Sequence, residues 1–554
     1  MTATKKPIER MDVDELEKIL DHTKERPLSD EERRKLELVV ETLAFLTSEI
    51  EDRKTTIKRL RKLLFGSGSE KTASVLPQEP EQNDAGSAGE EDAARENGTG
   101  AAGDNDTEKK KKGHGRNGAE KYVGAEQIEV PHQSLNSGDG CPDLECKGKV
   151  YRLRDPAVLV RLVGQAPVSG KVYKLERLRC NLCLRIYTAA APEGVGEKKY
   201  DESSAAMIAL LKYGSGLPFN RVQRLQGNLG IPLAAATQWD IVHRVARLIE
   251  PVYAELIFEA AQGEVLHNDD TTMKILDLMG KRLEKRKEKP ERTGIFTSGV
   301  VSVGGGHRIA LFFTGTQHAG ENLRDVLTRR ASELGPPIQM CDALSRNVSE
   351  DFDTIVCNCM AHARRSYVDV VDSFPDECRF VLETLREVFK NDATARKLAM
   401  TAEERLEFHR KESFRPMAKL RQWMWKKLRD RVVEPNSGLG KAIAYMRTHW
   451  RKLTRFLFVA GAPLDNNIVE RALKRAILHR KTSLFYKSDN GAWVGDLYMS
   501  LIATCEFAEV NPFDYLSELQ RHGAELSENP SEWMPWNYRE TLSVIDPARG
   551  ASLS

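Results

Sequence analysis

The chain has 554 residues, too many for one hydrophobic core, so three or four domains are expected. Charged residues make up 30% of it, but the formal net charge is only +2, so overall charge does not indicate a nucleic-acid partner. No run of about 18 apolar residues occurs, and the N-terminus MTATKKPIERMDVDE lacks an apolar signal core. These features argue against a membrane or secreted protein, and we expect a cytoplasmic one.

Apolar residues near the N-terminus recur at alternating spacings of three and four, interrupted only by Arg53. They are Leu36, Val39, Leu43, Leu46, Ile50, Ile57, Leu60 and Leu64. The pattern is typical of a coiled coil of about four heptads. We interpret 1–72 as an oligomerisation region, the alternative being one amphipathic helix packed on its own chain.

The next segment, 73–118, is predicted to be a linker. Residues 73–108 hold ten acidic residues, one arginine and almost nothing apolar, which indicates disorder. The basic run KKKKGHGRNG follows at 109–118. It either neutralises DNA phosphates or is a solvated tail that pairs with the acidic part.

Four of the nine cysteines cluster in the segment 119–200, with the spacing C-x4-C, 33 residues, then C-x2-C. They are Cys141, Cys146, Cys180 and Cys183. The alternating runs AVLVRLV and KVYKLERLRC predict short strands between them. In a reducing compartment this arrangement predicts a zinc-ribbon-like β segment with one structural Zn²⁺. The alternative is four reduced thiols without metal.

Residues 201–260 are predicted to be helical. The stretch RVQRLQGNLGIPLAAATQWDIVHRVARLIE predicts a helix, a glycine turn at Gly230 and a second helix. The second helix carries Thr237, Gln238, Trp239, His243, Arg244 and Arg247. This is compatible with a DNA-reading helix-turn-helix or with a helical hairpin that only packs.

From 261 onward strands alternate with a helix. GEVLHND, TGIFTSGVVSV and HRIALFFT predict three strands, ENLRDVLTRRASEL a helix, and PIQMCD and TIVCNC two further strands. This order matches a ribonuclease-H-like fold. It puts Asp269 on the first strand and Asp342 at the end of the fourth, as neighbours in the sheet. Carboxylates placed in this way can hold two divalent ions about 4 Å apart for phosphoryl transfer.

A long helical stretch follows at 361–460, which we interpret as an insertion into the catalytic domain. Residues 401–456 contain 15 Lys or Arg against six Asp or Glu. Trp423, Trp425 and Trp450 lie among these charges. The insertion could cover DNA next to the site or be a helical bundle with a solvated basic face and buried tryptophans, and we expect it to be both.

The segment LDNNIVERALKRAILHRK predicts a helix with Asp465 as its N-cap and with Asn466 and Glu470 on one face. The basic residues around Glu470 are Arg471, Lys474, Arg475, Arg480 and Lys481. A carboxylate in this setting could ligate a metal while the cations hold phosphate.

Several motifs, read in order, resemble the IS66 family of bacterial transposases. They are LLFGSGSEK, GHGRNG, HNDDTT, CMAHARRSY, LDNNIVERALK, HRKTSLF, SLIATCEFAEVNPFDYL and WMPWNY. The likeness runs from about residue 36 to 540. It implies a DNA transposase of an insertion sequence, with a DDE catalytic core in the parts 261–360 and 461–510 and a C-terminal family segment at 511–554.

By motif, the resemblance assigns Asp269, Asp342 and Glu470 as ligands of two Mg²⁺ (or Mn²⁺) ions. Asp270 is a rival first ligand, because the family commonly has Asp-Glu-Thr where this chain has HNDDTT. The family's Asp-Gly-Tyr is here Asp342-Ala343-Leu344, and Cys146 lies at a wider spacing than is usual. Asn466 and His362 are possible auxiliary residues.

The resemblance implies cleavage at the terminal inverted repeats of the element and joining of a 3′-hydroxyl to target DNA. Arg364 and Arg365, with the five basic residues around Glu470, are the candidate phosphate contacts. Implied partners are DNA, a second copy of the chain or a higher oligomer, and accessory proteins of the element, near the nucleoid. The alternatives are a catalytically silent DNA-binding regulator derived from a transposase and a nuclease that cuts without joining.

Overall fold

The structure is a computed structural model. It describes residues 136–140, 148–149, 166–179, 186–193, 198–279, 294–349 and 351–547, with single residues at 29, 142, 151 and 550. The predicted coiled coil at 36–64 and the linker at 73–118 lie outside the described residues, as do all four cysteines of the predicted zinc site.

The chain divides into two units. The first consists, in its described part, chiefly of Val265–Asn268 and Gly335–Asn467. The second consists of the described residues within Gln82–Glu264, Asp269–Leu334 and Ile468–Ser554.

The described residues form seven strands, which are β1 (Arg177–Arg179), β2 (Ile186–Thr188), β3 (Val265–Thr272), β4 (Phe296–Gly304), β5 (His307–Gly315), β6 (Ile338–Cys341) and β7 (Ile355–Asn358). They also form sixteen α-helices, which are α1 (Glu202–Ala209), α2 (Phe219–Asn228), α3 (Ala235–Leu248), α4 (Glu250–Ala261), α5 (Ala319–Leu327), α6 (Met360–Val368), α7 (Pro375–Lys397), α8 (Ala402–Glu412), α9 (Phe414–Arg429), α10 (Gly438–Thr448), α11 (Trp450–Leu453), α12 (Asn467–Ser483), α13 (Asp489–Phe507), α14 (Pro512–Arg521), α15 (Gly523–Glu528) and α16 (Tyr538–Ile545).

A mixed five-stranded sheet has the strand order β5-β4-β3-β6-β7. Strands β4 and β5 are antiparallel, whereas β6 runs parallel to both β3 and β7. The predicted order of three strands, a helix, a strand, a short helical turn and a strand is confirmed, with the turn at Ser345–Asn347. β3 and β6 are neighbours, as the prediction required.

In the first unit, β6 is buried along its whole length because it lies between two strands and all four residues face protein. Helices α6, α7, α9, α10 and α11 pack with it around one apolar core. Tyr367 on α6 is fully buried, and its hydroxyl contacts the sulfurs of Met424 and Met446. The prediction that this stretch is all helical is confirmed.

In the second unit, helix α13 covers the outer strand β5. Side chains of α13 bond to the β5 backbone: Asp496 Oδ2 accepts from the Thr314 N–H at 2.6 Å, and Ser500 Oγ accepts from the Phe312 N–H at 3.0 Å. Thr504 Oγ1 likewise accepts from the Ala310 N–H at 3.1 Å. These bonds satisfy the backbone groups that a sheet edge would otherwise expose.

The predicted helix, glycine turn and helix at 219–248 is also confirmed, as α2 and α3. Gly230, two residues after the end of α2, has φ +77°, a left-handed conformation that favours glycine. None of the described helices is long and apolar enough to cross a bilayer.

Candidate active site and metal-binding residues

Asp342 directly follows β6, as predicted, and is held by the loop after it. Its Oδ1 accepts hydrogen bonds from the Asn347 side chain at 2.8 Å and from the Leu344 backbone N–H at 3.0 Å. The Asn358 side chain donates to the Asp342 backbone carbonyl at 3.0 Å. Burial, with the negative charge of Asp342 as the second cause, raises the pKa of nearby Tyr445 to about 12. Asp342 therefore has a fixed position at the end of its strand.

Three buried amide side chains link β3 to the loop after β6. Gln339 Nε2 donates to Asn268 Oδ1 at 3.0 Å and to the Asn347 carbonyl at 2.8 Å. Asn268 Nδ2 donates to the same carbonyl at 2.7 Å. All three side chains are fully buried, so these bonds are shielded from water. They fix Asn268, the residue before Asp269, against the loop that holds Asp342.

Asn466, immediately before α12, extends this network. Its Nδ2 donates to the Asn268 backbone carbonyl at 3.1 Å, and its Oδ1 lies 3.0 Å from His267 Nδ1. Its backbone N–H points to the sulfur of Cys359 at 3.2 Å. Asn466 therefore ties the start of α12 to β3. We refer to Asn268, Gln339, Asn347 and Asn466 as the amide network.

His267 is buried beside Asn466, and burial lowers its pKa to about 4. A neutral imidazole has one N–H, and the contact with an amide oxygen assigns that N–H to Nδ1. His267 thus contributes a neutral hydrogen bond to the amide network near neutral pH.

In the second unit, Asp269 and its rival Asp270 are adjacent on β3 but have different contacts. Asp269 Oδ1 accepts the Asp270 backbone N–H at 2.8 Å. Asp270 Oδ2 lies 3.0 Å from His318 Nδ1, and its side chain is only 4% exposed. His318 precedes α5, where a capping box with Glu321 fixes it. The Asp270 carboxylate is thus already engaged by an ordered partner.

Glu470 lies in the first turn of α12 and is half-buried. Asp465 Oδ1 accepts the N–H of Asn467, the first residue of α12, at 3.1 Å, a contact typical of helix starts. At the other end of the helix, Arg480 donates to Thr271 Oγ1 at 3.0 Å and to Thr272. These bonds join α12 to the second half of β3.

The predicted phosphate contacts differ in their surroundings. Arg471, Lys474 and Lys481 are exposed on α12, whereas Arg364 and Arg365 are half-buried on α6. Arg475 forms an ion pair of 2.6 Å with Glu506 and donates to the Gly214 carbonyl. His362, on the same helix as Arg364, is half-buried.

Each predicted pair of zinc ligands is bracketed by residues that pair in antiparallel fashion. Gly140 and Lys149 form an antiparallel bridge around the Cys141–Cys146 segment. Arg179 on β1 pairs with Ile186 on β2 around the Cys180–Cys183 segment.

The amide network includes Asn268, Gln339 and Asn347, which the sequence prediction did not single out. Asn268 and Gln339 lie inside strands and Asn347 lies in the turn Ser345–Asn347, so no local sequence pattern marks their pairing, which depends on β3 and β6 being adjacent. A buried amide needs partners, and in these residues the partners are one another.

A mixed sheet with aspartates on or after two adjacent parallel strands is compatible with an α/β transposase domain. The sequence model described as "Transposase IS66 family" matches residues 198–494, more than half of the chain. The chain belongs to this family.

Three similar proteins from Sinorhizobium fredii are described as uncharacterized. The protein y4jD is 25% identical over 415 residues, which is 71% of this chain and 77% of y4jD. The protein y4hP is 23% identical over 393 residues, 67% of this chain and 68% of y4hP. The protein y4qI is 23% identical over 356 residues, 61% of this chain and 62% of y4qI.

Proposed function

We propose that this protein is a DNA transposase that cleaves DNA at the ends of an insertion sequence and joins them to target DNA. Membership of the IS66 family supports the class. The observation that carries the proposal is the amide network, whose members adjoin all three proposed acids. Asn268 precedes Asp269, Asn347 binds Asp342, and Asn466 lies one helical turn before Glu470.

We further propose that the sheet is the core of a ribonuclease-H-like domain and that helices α6 to α11 are its insertion. The strand order and the parallel pairing of β3 with β6 support this. In the parallel register of β3 and β6, His267 pairs with Met340. Asp269 and Asp342 each lie two residues further along their own strand segments. This register is the expected origin of two carboxylates at one sheet edge.

The donor set fits Mg²⁺, because aspartate and glutamate supply only oxygen and the ion prefers oxygen ligands. Asp269, Asp342 and Glu470 are the proposed holders, each half-buried and therefore accessible from one side. When bound, such ions activate the attacking oxygen and stabilise the leaving oxygen of the phosphoryl transfer. Mn²⁺ should substitute, since it accepts the same ligands.

The remaining residues have positioning and binding roles in this proposal. Asn466 and His267 fix the start of α12, and Arg480 fixes the second half of β3 through Thr271 and Thr272. The exposed cations Arg471, Lys474 and Lys481, with Arg364 and Arg365, hold DNA phosphates. Asp270 supports the strand end through His318 and is not a first ligand.

We also propose one structural Zn²⁺ held by Cys141, Cys146, Cys180 and Cys183. The antiparallel pairing of Gly140 with Lys149 and of Arg179 with Ile186, the described residues on either side of the two cysteine pairs, supports this donor set. A four-thiolate site is closed, so this ion would stabilise the fold of a segment with little core and take no part in DNA cleavage.

The N-terminal region 1–72 is proposed to bring two or more copies together, so that both element ends are held in one complex. The partners are then the terminal inverted repeats and target DNA, with accessory proteins of the element, at the nucleoid. The helical pair α2 and α3 is proposed to be a helix-turn-helix that contacts DNA, with Arg244 exposed on its second helix.

The test is cleavage and joining of element-end DNA by the full-length protein with Mg²⁺ or Mn²⁺. Glu470→Gln should abolish both reactions, by at least about 100-fold, and should leave DNA affinity within about twofold. Glu387→Gln is the matched control, because it makes the same chemical change at a residue that is exposed on α7 and has no role in the proposal. Normal cleavage by Glu470→Gln would remove the assignment.

The same assay separates the alternatives. A catalytically silent regulator would bind element ends but would not cleave them with either ion. A hydrolytic nuclease would cleave without producing strand-transfer products. Only the transposase yields joined DNA that disappears with Glu470→Gln.

A further inference from the structure

Helices α9 and α11 of the first unit border an open cleft with aromatic walls. Phe414, Trp425, Trp450 and Phe458 line a cavity of about 510 Å³. Met417, which also lines the cavity, is almost fully buried, whereas Trp425 and Phe458 are 54% and 56% exposed. The size lies within the range of small-ligand sites. The aromatic side chains therefore border a space that they do not fill.

Trp425 also lines a second cavity. The neighbouring cavity, of about 360 Å³, is lined by Arg421, Trp425, Arg447 and Trp450, among others. The Arg447 guanidinium lies 4.4 Å from the centre of the Trp425 ring. Packing does not explain an indole left more than half exposed, because a tryptophan contributes most when its large apolar surface is buried.

The charge around the cleft is positive. Among the described residues that line the two cavities there is no carboxylate, and Arg421 lines both. The surrounding segment 401–456 has 15 basic and six acidic residues. The cleft thus offers flat apolar faces beside guanidinium groups, which suits a ligand with a planar ring and a nearby negative charge.

We infer that this cleft binds an unpaired base of a DNA strand, with the base stacked on Trp425 and its phosphate near Arg421. A base within a duplex is already stacked on its neighbours, so only a single-stranded or extruded nucleotide can enter. An apolar peptide or a second copy of the chain would use the aromatic walls but has no need of the arginines. The inference rests on the proposed function only in taking DNA as the ligand.

The test compares two fluorescent oligonucleotides of about 12 nucleotides, one of thymidylate and one of abasic nucleotides, in buffer without Mg²⁺ or Mn²⁺. Both carry the same phosphates, so their difference measures base stacking alone. The full-length protein should bind the thymidylate strand about tenfold more tightly. Trp425→Leu keeps an apolar side chain but removes the ring, and should bind both strands alike. Trp425→Tyr keeps a ring and should retain most of the preference.

Arg447→Lys provides a second variant that keeps the charge but loses the planar group. It should reduce the preference severalfold, with thermal unfolding unchanged. Equal binding of both strands by the unaltered protein would overturn the inference, as would an unchanged preference in Trp425→Leu. A change of oligomeric state in Trp425→Leu with unchanged DNA binding would assign the cleft to a second copy instead.

This experiment is independent of catalysis. Glu470→Gln should behave like the unaltered protein in it, because no Mg²⁺ or Mn²⁺ is present and no strand is cut. Failure of the stacking preference would leave cleavage untouched, and failure of cleavage would leave the stacking preference untouched.

Discussion

The Oδ1 atom of Asn466 lies 3.0 Å from Nδ1 of His267, although 199 residues separate them in the chain. Both side chains are buried, and the amide of Asn466 also reaches the backbone of Asn268. A residue just before α12 is therefore fixed to β3 in the interior of the first unit. This bond holds the residue that lies one helical turn before Glu470 against β3.

Asn466→Ala should separate positioning from folding. The change removes a buried donor and a buried acceptor, and we expect it to destabilise the protein by about 1–3 kcal/mol. At a temperature where the variant is folded, cleavage should fall at least tenfold, by about the amount a misplaced catalytic group costs, with DNA affinity unchanged. The measurements are single-turnover cleavage and thermal unfolding.

The control is Asn391→Ala on α7, which loses a bond of 3.2 Å to Ser413 inside the same unit. It should lower stability without a selective loss of cleavage. If Asn391→Ala and Asn466→Ala lose cleavage in the same proportion to stability, Asn466 has no positioning role.

His267 should make the free energy of unfolding depend on pH. Burial lowers its pKa to about 4 from the ordinary value of 6.5, so the unfolded chain takes up the proton first as pH falls. The part of the free energy of unfolding that depends on neutral His267 is complete above pH 6.5. It is lost as pH falls towards 4, and amounts to on the order of 3 kcal/mol in total. The measurement is the free energy of unfolding across that interval.

His479 is also buried and its pKa is lowered to about 3, so it adds to the pH dependence of stability. A variant of His267 separates the contribution of His267 from that of His479. His267→Gln retains a donor for Asn466 but does not titrate. Its stability should depend on pH less steeply than that of the unaltered protein between pH 6.5 and 4. Parallel curves for the two proteins would contradict the assignment.

Asp269 and Asp270 can be distinguished by matched substitutions. Asp269→Asn should abolish cleavage, because a neutral amide is a poor ligand for a hard cation. Asp270→Asn should retain at least a tenth of the activity, since an amide oxygen can still accept a hydrogen bond from His318. The measurement is Mg²⁺-dependent cleavage by both variants, and the reverse order of activities would make Asp270 the first ligand.

The zinc proposal predicts metal in the purified protein. Elemental analysis should find about one Zn²⁺ per chain, and Cys180→Ser should lower that content substantially. Cys505→Ala is the control, because Cys505 is buried on α13 and is not one of the proposed ligands, so the change should leave the zinc content unchanged. Zinc-free protein that is folded and cleaves DNA normally would exclude the site.

Much of the first unit and of the sheet could be predicted, because strands ending in acid and strongly periodic helices are local signals. Apolar runs alone predict the strand that precedes Asp342 and the strand that carries Asp269. The amide network could not be predicted, since Asn268 and Asn347 reveal their pairing only when β3 and β6 are adjacent. The same holds for Asp270, whose partner His318 lies 48 residues away.

The role of Asp496 was also beyond a sequence prediction, because it depends on the packing of α13 along β5. Its carboxylate accepts hydrogen bonds from the backbone N–H and the hydroxyl of Thr314, both at 2.6 Å. Burial nevertheless raises its pKa to about 7. The folded protein therefore keeps this proton at a pH at which the unfolded chain has already lost it.

This raised pKa gives a prediction with the opposite sign from that for His267. The stability due to protonated Asp496 is complete below pH 3.8 and is lost as pH rises to about 7, on the order of 4 kcal/mol at most. Asp496→Asn cannot titrate, yet its amide can accept from the Thr314 N–H and donate to the hydroxyl. We expect the variant to be more stable than the unaltered protein at pH 7 and to lose the advantage at pH 4. The control is Asp353→Asn, at an exposed position in the other unit, which should leave the pH dependence of stability unchanged. If Asp496→Asn is instead less stable than the unaltered protein at pH 7, the Asp496 carboxylate is held ionised.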